Sequence, residues 1–217
     1  MHRVGAKAGS VVMLDVITGE VLAMVNQPSF NPNNRRALKP AHMRNRAMTD
    51  VFEPGSTVKP FTVVAALETG RYKPHSKIDT SPGHIRVGGK TLLDPVNYGV
   101  MDITSILTKS SQVGISKLAL DMDEQSVWEV FHRFGLGEST GTGFPGESAG
   151  ILPNRPNWRP IERVNFAFGY GLAVTPLQLA QAYSVIASGG VFRHVSLLRQ
   201  KDICLLYTSP SPRDDIS

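Results

Sequence analysis

Residues 50–60, DVFEPGSTVKP, place a serine directly after a Pro-Gly pair and a lysine three positions later, where an apolar run begins. From Thr57 to Thr69 the apolar residues Val58, Phe61, Val63, Val64, Ala65, Ala66 and Leu67 fall on most faces of a helix, and Gly70 stops it. A helix that is apolar nearly all round is a buried one. Ser56 then stands at its N-terminal end with Lys59 one turn further in. Positions i and i+3 share a helix face, separated by about 4.5 Å of axial rise, so Lys59 can fold back onto Ser56.

A serine hydroxyl is a weak nucleophile near neutral pH and needs a neighbour to take its proton. Lysine can do so only if its pKa falls from about 10.4, and each unit of that fall costs about 1.36 kcal/mol. The positive end of the helix dipole and desolvation in a closed cleft both act in that direction. The backbone N–H of Ser56 could also serve as one half of an oxyanion hole. This is the sole S-x-x-K in the chain. The spacing alone leaves a second reading open, in which Ser56 caps the helix and Lys59 is solvated.

The bulk properties narrow the alternatives. With 217 residues, 41% hydrophobic and 19% charged, the chain has the composition of one sizeable globular domain or two small ones. The net charge of +5 comes from scattered Lys and Arg, with no basic run interleaved with aromatics, so nucleic acid is not a partner on this reading. A single cysteine, Cys204, rules out an intrachain disulfide and a Cys-based metal site. The six histidines, His2, His42, His75, His84, His132 and His194, show no metal-binding spacing, and no serine lies in a G-x-S-x-G elbow. No P-loop or dinucleotide fingerprint occurs, so neither metal nor cofactor is implied. No apolar run approaches the roughly 20 residues that cross a bilayer. MHRVGAKAGS lacks the apolar stretch of a signal peptide, so any anchor or export signal is expected upstream of this chain.

Working outward from Ser56, residues 10–16 and 20–25 read as strands of a hairpin turning at Ile17-Thr18-Gly19, and 26–50 as an irregular excursion. Short strands are expected near Ile85 and Thr91. Asp102 is placed to cap a helix running through Thr108, and Val113 to Asp121 form the next one, which leaves Ser110-Ser111-Gln112 at their junction. A short helix follows at 126–134, then a Gly- and Pro-rich loop over 139–158. In TPLQLAQAYSVIASGG, 175–190, Thr175 is the N-cap, Pro176 the first helical residue and Gln178 the capping-box partner. The tail KDICLLYTSPSPRDDIS, 201–217, continues no upstream pattern and reads as extraneous or disordered.

Four phrases carry a resemblance: RNRAMTDVFEPGSTVKPFTVVAALETG, LTKSSQVGISKLAL, FHRFGLGESTGTGFPGE and FAFGYGLAVTPLQLAQAYSVIASGG. Together they resemble the transpeptidase domain of class B penicillin-binding proteins, in particular the division-specific septal peptidoglycan D,D-transpeptidases of Gram-negative bacteria. The likeness runs from about residue 9 to 200, with 1–8 as linker remnant and 201–217 outside it. It implies an α/β fold of the serine β-lactamase-like kind, an antiparallel sheet flanked by helices beside a helical subdomain. Here only the sheet's first hairpin can be assigned, which leaves an uncovered edge.

By the same resemblance Ser56 attacks the penultimate D-alanine of a stem peptide ending in D-Ala-D-Ala, Lys59 is the general base, and Ser110 relays a proton to the leaving group. A β-lactam would acylate the same serine. Gln112 stands at the substrate-binding third position of S-x-N, Glu53 at the rim of the cleft, and Tyr170 either lines the cleft or packs. The implied setting is cell division at the periplasmic face of the inner membrane, with division proteins as partners. Two departures stand out. The family has asparagine where Gln112 adds a methylene, moving the amide by about 1.5 Å. No Lys-Ser/Thr-Gly motif follows Ser110, so a C-terminally truncated and impaired domain is expected. A serine β-lactamase or β-lactam sensor, and a non-catalytic interaction module, are the competing readings.

Overall fold

The computed structural model describes residues 5–34, 36 and 39–199. The expected extraneous tail, with Cys204, lies outside them. The described residues divide into two compact units, one of those up to 49, 139–147 and from 176 on, the other of 50–138 and 148–175.

In the first unit, β1 (Gly9–Leu14) and β2 (Val21–Gln27) pair antiparallel, with Val11 opposite Val25 and Val12 opposite Met24. The strands are shifted from the expected 10–16 and 20–25 because Asp15 closes β1 early. Its carboxylate accepts the backbone N–H groups of Ile17 and Thr18, both at 2.8 Å, and these bonds hold its carboxyl below the usual range. Gly19 has φ 76°, and a Cβ there would lie 2.4 Å from the His194 carbonyl oxygen. Alternation along the strands turns Val12, Leu14, Val21 and Met24 onto a core of Met48, Leu177 and Val195. The opposite face leaves Val11, Met13 and Val25 more than half exposed.

The described part of residues 26–50 holds more regular structure than its composition suggests. A 3₁₀ turn at Pro40–His42 is followed by α1 (Arg46–Thr49), too short to show a helical period. Asn26 supplies the anchor: its Oδ1 accepts from Ala47 N at 2.9 Å and from Ser10 Oγ at 2.7 Å, and its Nδ2 donates to Asn45 at 2.8 Å. Nor is the hairpin edge wholly bare, since Val21 N donates to Ser196 O at 2.8 Å and Ser196 N to Gly19 O at 3.0 Å. The Glu147 carboxylate closes the loop before it by accepting from both Thr140 N and Thr140 Oγ1 at 2.6 Å.

The second unit is built on α2 (Lys59–Glu68), the buried helix expected from its all-round apolar pattern. Around it run α3 (Ile103–Thr108), α4 (Gln112–Asp121), α5 (Ser126–Arg133) and α6 (Pro160–Ala167), while α7 (Pro176–Ala187) belongs to the first unit. Phe61 of α2 meets Phe131 edge-on at 6.3 Å and Phe134 at 5.2 Å, and Phe166 joins Phe131 to Trp158. Such ring pairs contribute about 0.5–1.5 kcal/mol each beyond their burial.

Two small antiparallel sheets complete this unit. β4 (His84–Val87) and β5 (Lys90–Leu93) form a hairpin whose two-residue turn, Gly88-Gly89, has φ of 54° and 82°, the left-handed pair such a turn demands. β3 (Lys77–Asp79) pairs with β6 (Val100–Asp102), a contact too short and too remote in sequence to leave a pattern. Asp102 then caps α3 as expected, accepting from Ser105 N at 2.8 Å. No helix among the described residues is long and apolar enough to cross a membrane.

Helices α3 and α4 approach through Gly114, where a Cβ would fall 2.7–2.9 Å from the side chain of Ile106. Alanine there would gain about 1 kcal/mol of helix propensity but overpack this contact, at a cost of about 1–3 kcal/mol. Gly114→Ala is therefore expected to lower the urea midpoint, although the same change at an exposed helical site would raise it.

Candidate active site

Ser56 lies in a 3₁₀ turn, Gly55–Val58, and the α-helix proper begins only at Lys59. Side chains three apart eclipse one another in a 3₁₀ turn. The backbone N–H of Lys59 bonds to Ser56 O, as the turn requires. Ser56 itself is exposed, whereas Lys59 is 2% exposed.

The stretch before the serine is clamped by the Phe166–Val174 segment. Phe52 and Val174 exchange both backbone hydrogen bonds at 3.0 Å, and Gly55 N donates to Gly169 O at 3.1 Å. Glu53 Oε1 accepts from Gly171 N at 2.9 Å. Gly169 has φ 88°, and a Cβ there would stand 2.4 Å from Gly55 O, so only glycine permits the approach. Glu53, expected at the rim, is thus tied to backbone. Tyr170, at the tip of this segment, is half-exposed and is not a packed core residue.

The Lys59 ammonium does not turn to Ser56. Its two hydrogen bonds go to Ser110, at 2.6 Å to the carbonyl oxygen and 3.0 Å to Oγ. A buried ammonium needs acceptors, and a carbonyl oxygen is a better one than a hydroxyl that is exposed to solvent. The Phe168 ring lies 5.7 Å from Nζ and adds a cation–π contact. Burial lowers the Lys59 pKa from 10.5 to about 8, and the Asp94 carboxylate opposes this by favouring the charged form.

Ser110 has φ 52° and is the one non-glycine residue at positive φ among those described. It occupies the left-handed position that ends α3: Ser110 N donates to Leu107 O at 3.0 Å and Ser111 N to Ile106 O at 2.9 Å, the pair of bonds of a Schellman cap. Glycine is the usual residue there, and a side chain costs roughly 1–2 kcal/mol.

Ser111 starts the next helix. Its Oγ accepts from Gly114 N at 2.9 Å and donates to Asp94 Oδ2 at 2.6 Å, while Asp94 Oδ1 accepts from Gln112 N at 2.6 Å and Val113 N at 3.3 Å. Gln112 is the first residue of α4, exposed, with its backbone rather than its amide engaged. Asp94 escapes a reading of the sequence. Asp-Pro signals only a turn, and nothing in the spacing connects residue 94 with residues 110–112.

The structure thus brings Ser56, Lys59, Ser110 and the start of α4 into one unit, with Glu53 and Tyr170 on the adjoining clamp. Among the described residues no group of His, Cys, Asp and Glu could hold a metal ion.

A family model described as the penicillin binding protein transpeptidase domain matches residues 9–213. The chain is 48% identical over 194 residues to the peptidoglycan D,D-transpeptidase FtsI of Escherichia coli K12, covering 89% of this chain and 33% of that protein. It is 44% identical over 197 residues to the probable peptidoglycan D,D-transpeptidase PbpC of Pseudomonas aeruginosa, covering 91% and 35%. The chain therefore spans about a third of the length of the curated relatives it matches. Among solved structures, the apo transpeptidase domain of Burkholderia pseudomallei penicillin-binding protein 3 superposes with a TM-score of 0.82 at 39% identity, covering 93% of this chain and 56% of that one.

The lowered pKa of Lys59 has a consequence for stability. Between pH 8 and 10.5 the unfolded chain keeps the Lys59 proton and the folded one releases it, so folding strengthens as pH rises through that window. Below pH 8 the penalty of burying the ammonium is fully present. Comparing urea unfolding of the wild type with Lys59→Met at pH 7 and pH 10.5 is expected to show the balance moving towards the wild type by on the order of 2 kcal/mol.

Proposed function

This chain belongs to the penicillin-binding protein transpeptidase family, and we propose that its site carries out serine acyl transfer on peptidoglycan stem peptides. The observation that carries the reading is a buried Lys59, its pKa at about 8, that stands one turn from an exposed Ser56 and is hydrogen-bonded to Ser110. With that value about a tenth of the molecules hold a neutral amine at pH 7, enough to act as a base without needing a metal or a histidine.

In the proposed reaction Ser56 Oγ attacks the carbonyl of the penultimate D-alanine as neutral Lys59 takes its proton. The developing oxyanion is met by the Ser56 N–H. The proton passes through the Ser110 hydroxyl, already 3.0 Å from the lysine, to the departing D-alanine amine. That leaves an acyl-enzyme on Ser56. The amine of a second stem peptide then attacks the ester, loses its proton back through the same pair, and frees the serine with a new peptide bond. A β-lactam enters by the first step and stops there. Gln112 is proposed to bind the substrate backbone, and Tyr170 and Glu53 to border the cleft. The naming of relatives as peptidoglycan D,D-transpeptidases supports a parent protein that works in cell division at the periplasmic face of the inner membrane, with division proteins as partners.

A fluorescent penicillin tests the reading. Stable label on Ser56, lost in Ser56→Ala and slowed about 10²–10⁴-fold in Lys59→Met, is the expected result. The acylation rate should rise with pH and reach half its maximum near pH 8, because the neutral amine is the active form. Label released rapidly by water would mark a β-lactamase instead, and no label at all a non-catalytic module. Gln112→Asn, which withdraws the amide by about one bond length, is expected to speed acylation on the order of tenfold to a hundredfold.

A further inference from the structure

Asp94 is 8% exposed and has no salt-bridge partner among the described residues, yet it accepts three hydrogen bonds from three consecutive residues, Ser111, Gln112 and Val113. We propose that Asp94 is a positioning residue that holds the Ser110–Ser111–Gln112 corner in the one shape that presents the Ser110 carbonyl and hydroxyl to Lys59. A residue kept in a sparsely populated backbone region persists only where its surroundings over-determine it. On the N-terminal side of Ser110 the two Schellman bonds to α3 do this. On the C-terminal side the Ser111 cap on Gly114 N fixes the start of α4, and Asp94 ties that cap and the first N–H groups of the helix to one carboxylate.

The carboxylate is itself fixed. Asp94 N donates to Gly83 O at 2.9 Å, just beyond the β4–β5 hairpin, whose last pair is Leu93 opposite His84. The hairpin therefore acts as a bracket that delivers one charge to the start of α4, where the helix dipole favours it. The Asp94 carboxylate also favours the charged form of Lys59, and the Phe168 ring at the end of α6 lies 5.7 Å from Nζ. The corner thus lies between a buried anion and a buried cation, with the serine carbonyl turned to the cation. The inference rests on the acyl-transfer reading only for its effect on rate.

The test uses the full chain with ¹³C-labelled lysine, following the ε-methylene signal of Lys59 through a pH titration in the wild type and in Asp94→Asn. The amide is isosteric and keeps an acceptor for Gln112 N, but carries no charge. The Lys59 midpoint is expected to fall by about 0.5–1 pH unit, because the anion that favoured the ammonium is gone. Hydrogen exchange at the Ser110 and Ser111 amides should quicken at least tenfold. A folded Asp94→Asn with an unchanged Lys59 midpoint and unchanged exchange would overturn the proposal. Should that variant fail to fold, Ser111→Ala decides: faster exchange at Ser110, with the Lys59 midpoint kept, supports the bracket, and unchanged exchange refutes it. Penicillin labelling is read separately. A wild type that takes no label defeats the acyl-transfer reading while leaving the titration to judge Asp94.

Discussion

The site depends on a buried ammonium that two oxygens of a single residue satisfy. Lys59 sits inside the unit because α2 is apolar on nearly every face, and its desolvation makes the amine basic enough to accept a proton and weak enough to be found without one. Without the Ser110 carbonyl, the same burial would leave a charge without an acceptor, which costs several kcal/mol. That bond to Ser110 thus lets α2 be both a core helix and the bearer of a base.

Three distant parts of the sequence converge to keep this arrangement still. The Gly169-to-Val174 stretch grips the residues before Ser56 through backbone bonds and the Glu53 carboxylate, so the nucleophile's turn cannot drift along the helix axis. The close of α3 and the opening of α4 meet at Ser110, and Gly114 lets those helices come near enough to share it. Asp94 enters from a hairpin whose own residues take no direct part. Such placement on rigid elements is what holds reacting groups within the fraction of an ångström that rate demands.

Much of this was legible from the chain. The all-round apolar pattern after Ser56 announced α2, Asp102 announced the start of α3, and Thr175-Pro176 the start of α7; each is a local signal with a local cause. The hairpin of β1 and β2 was legible too, but its ends were not, because Asp15 stops the strand by a side-chain bond and not by a break in apolar alternation. Of the site, Ser56 and Lys59 could be named from their spacing, and Ser110 only through the family resemblance. The direction of the lysine's bonds could not, since it depends on a left-handed residue fifty-one positions away. Asp94 was invisible for the same reason: long-range burial decides its role, and no short window of sequence contains it.

The left-handed backbone at Ser110 also limits which residues the site can admit by mutation. Threonine offers an equivalent hydroxyl, and at most relay positions the two alcohols interchange freely. A β-branched side chain at φ 52°, however, meets its own carbonyl oxygen, so this position can drift towards glycine, which keeps the cap and loses the relay, but hardly towards threonine, which keeps the relay and strains the cap.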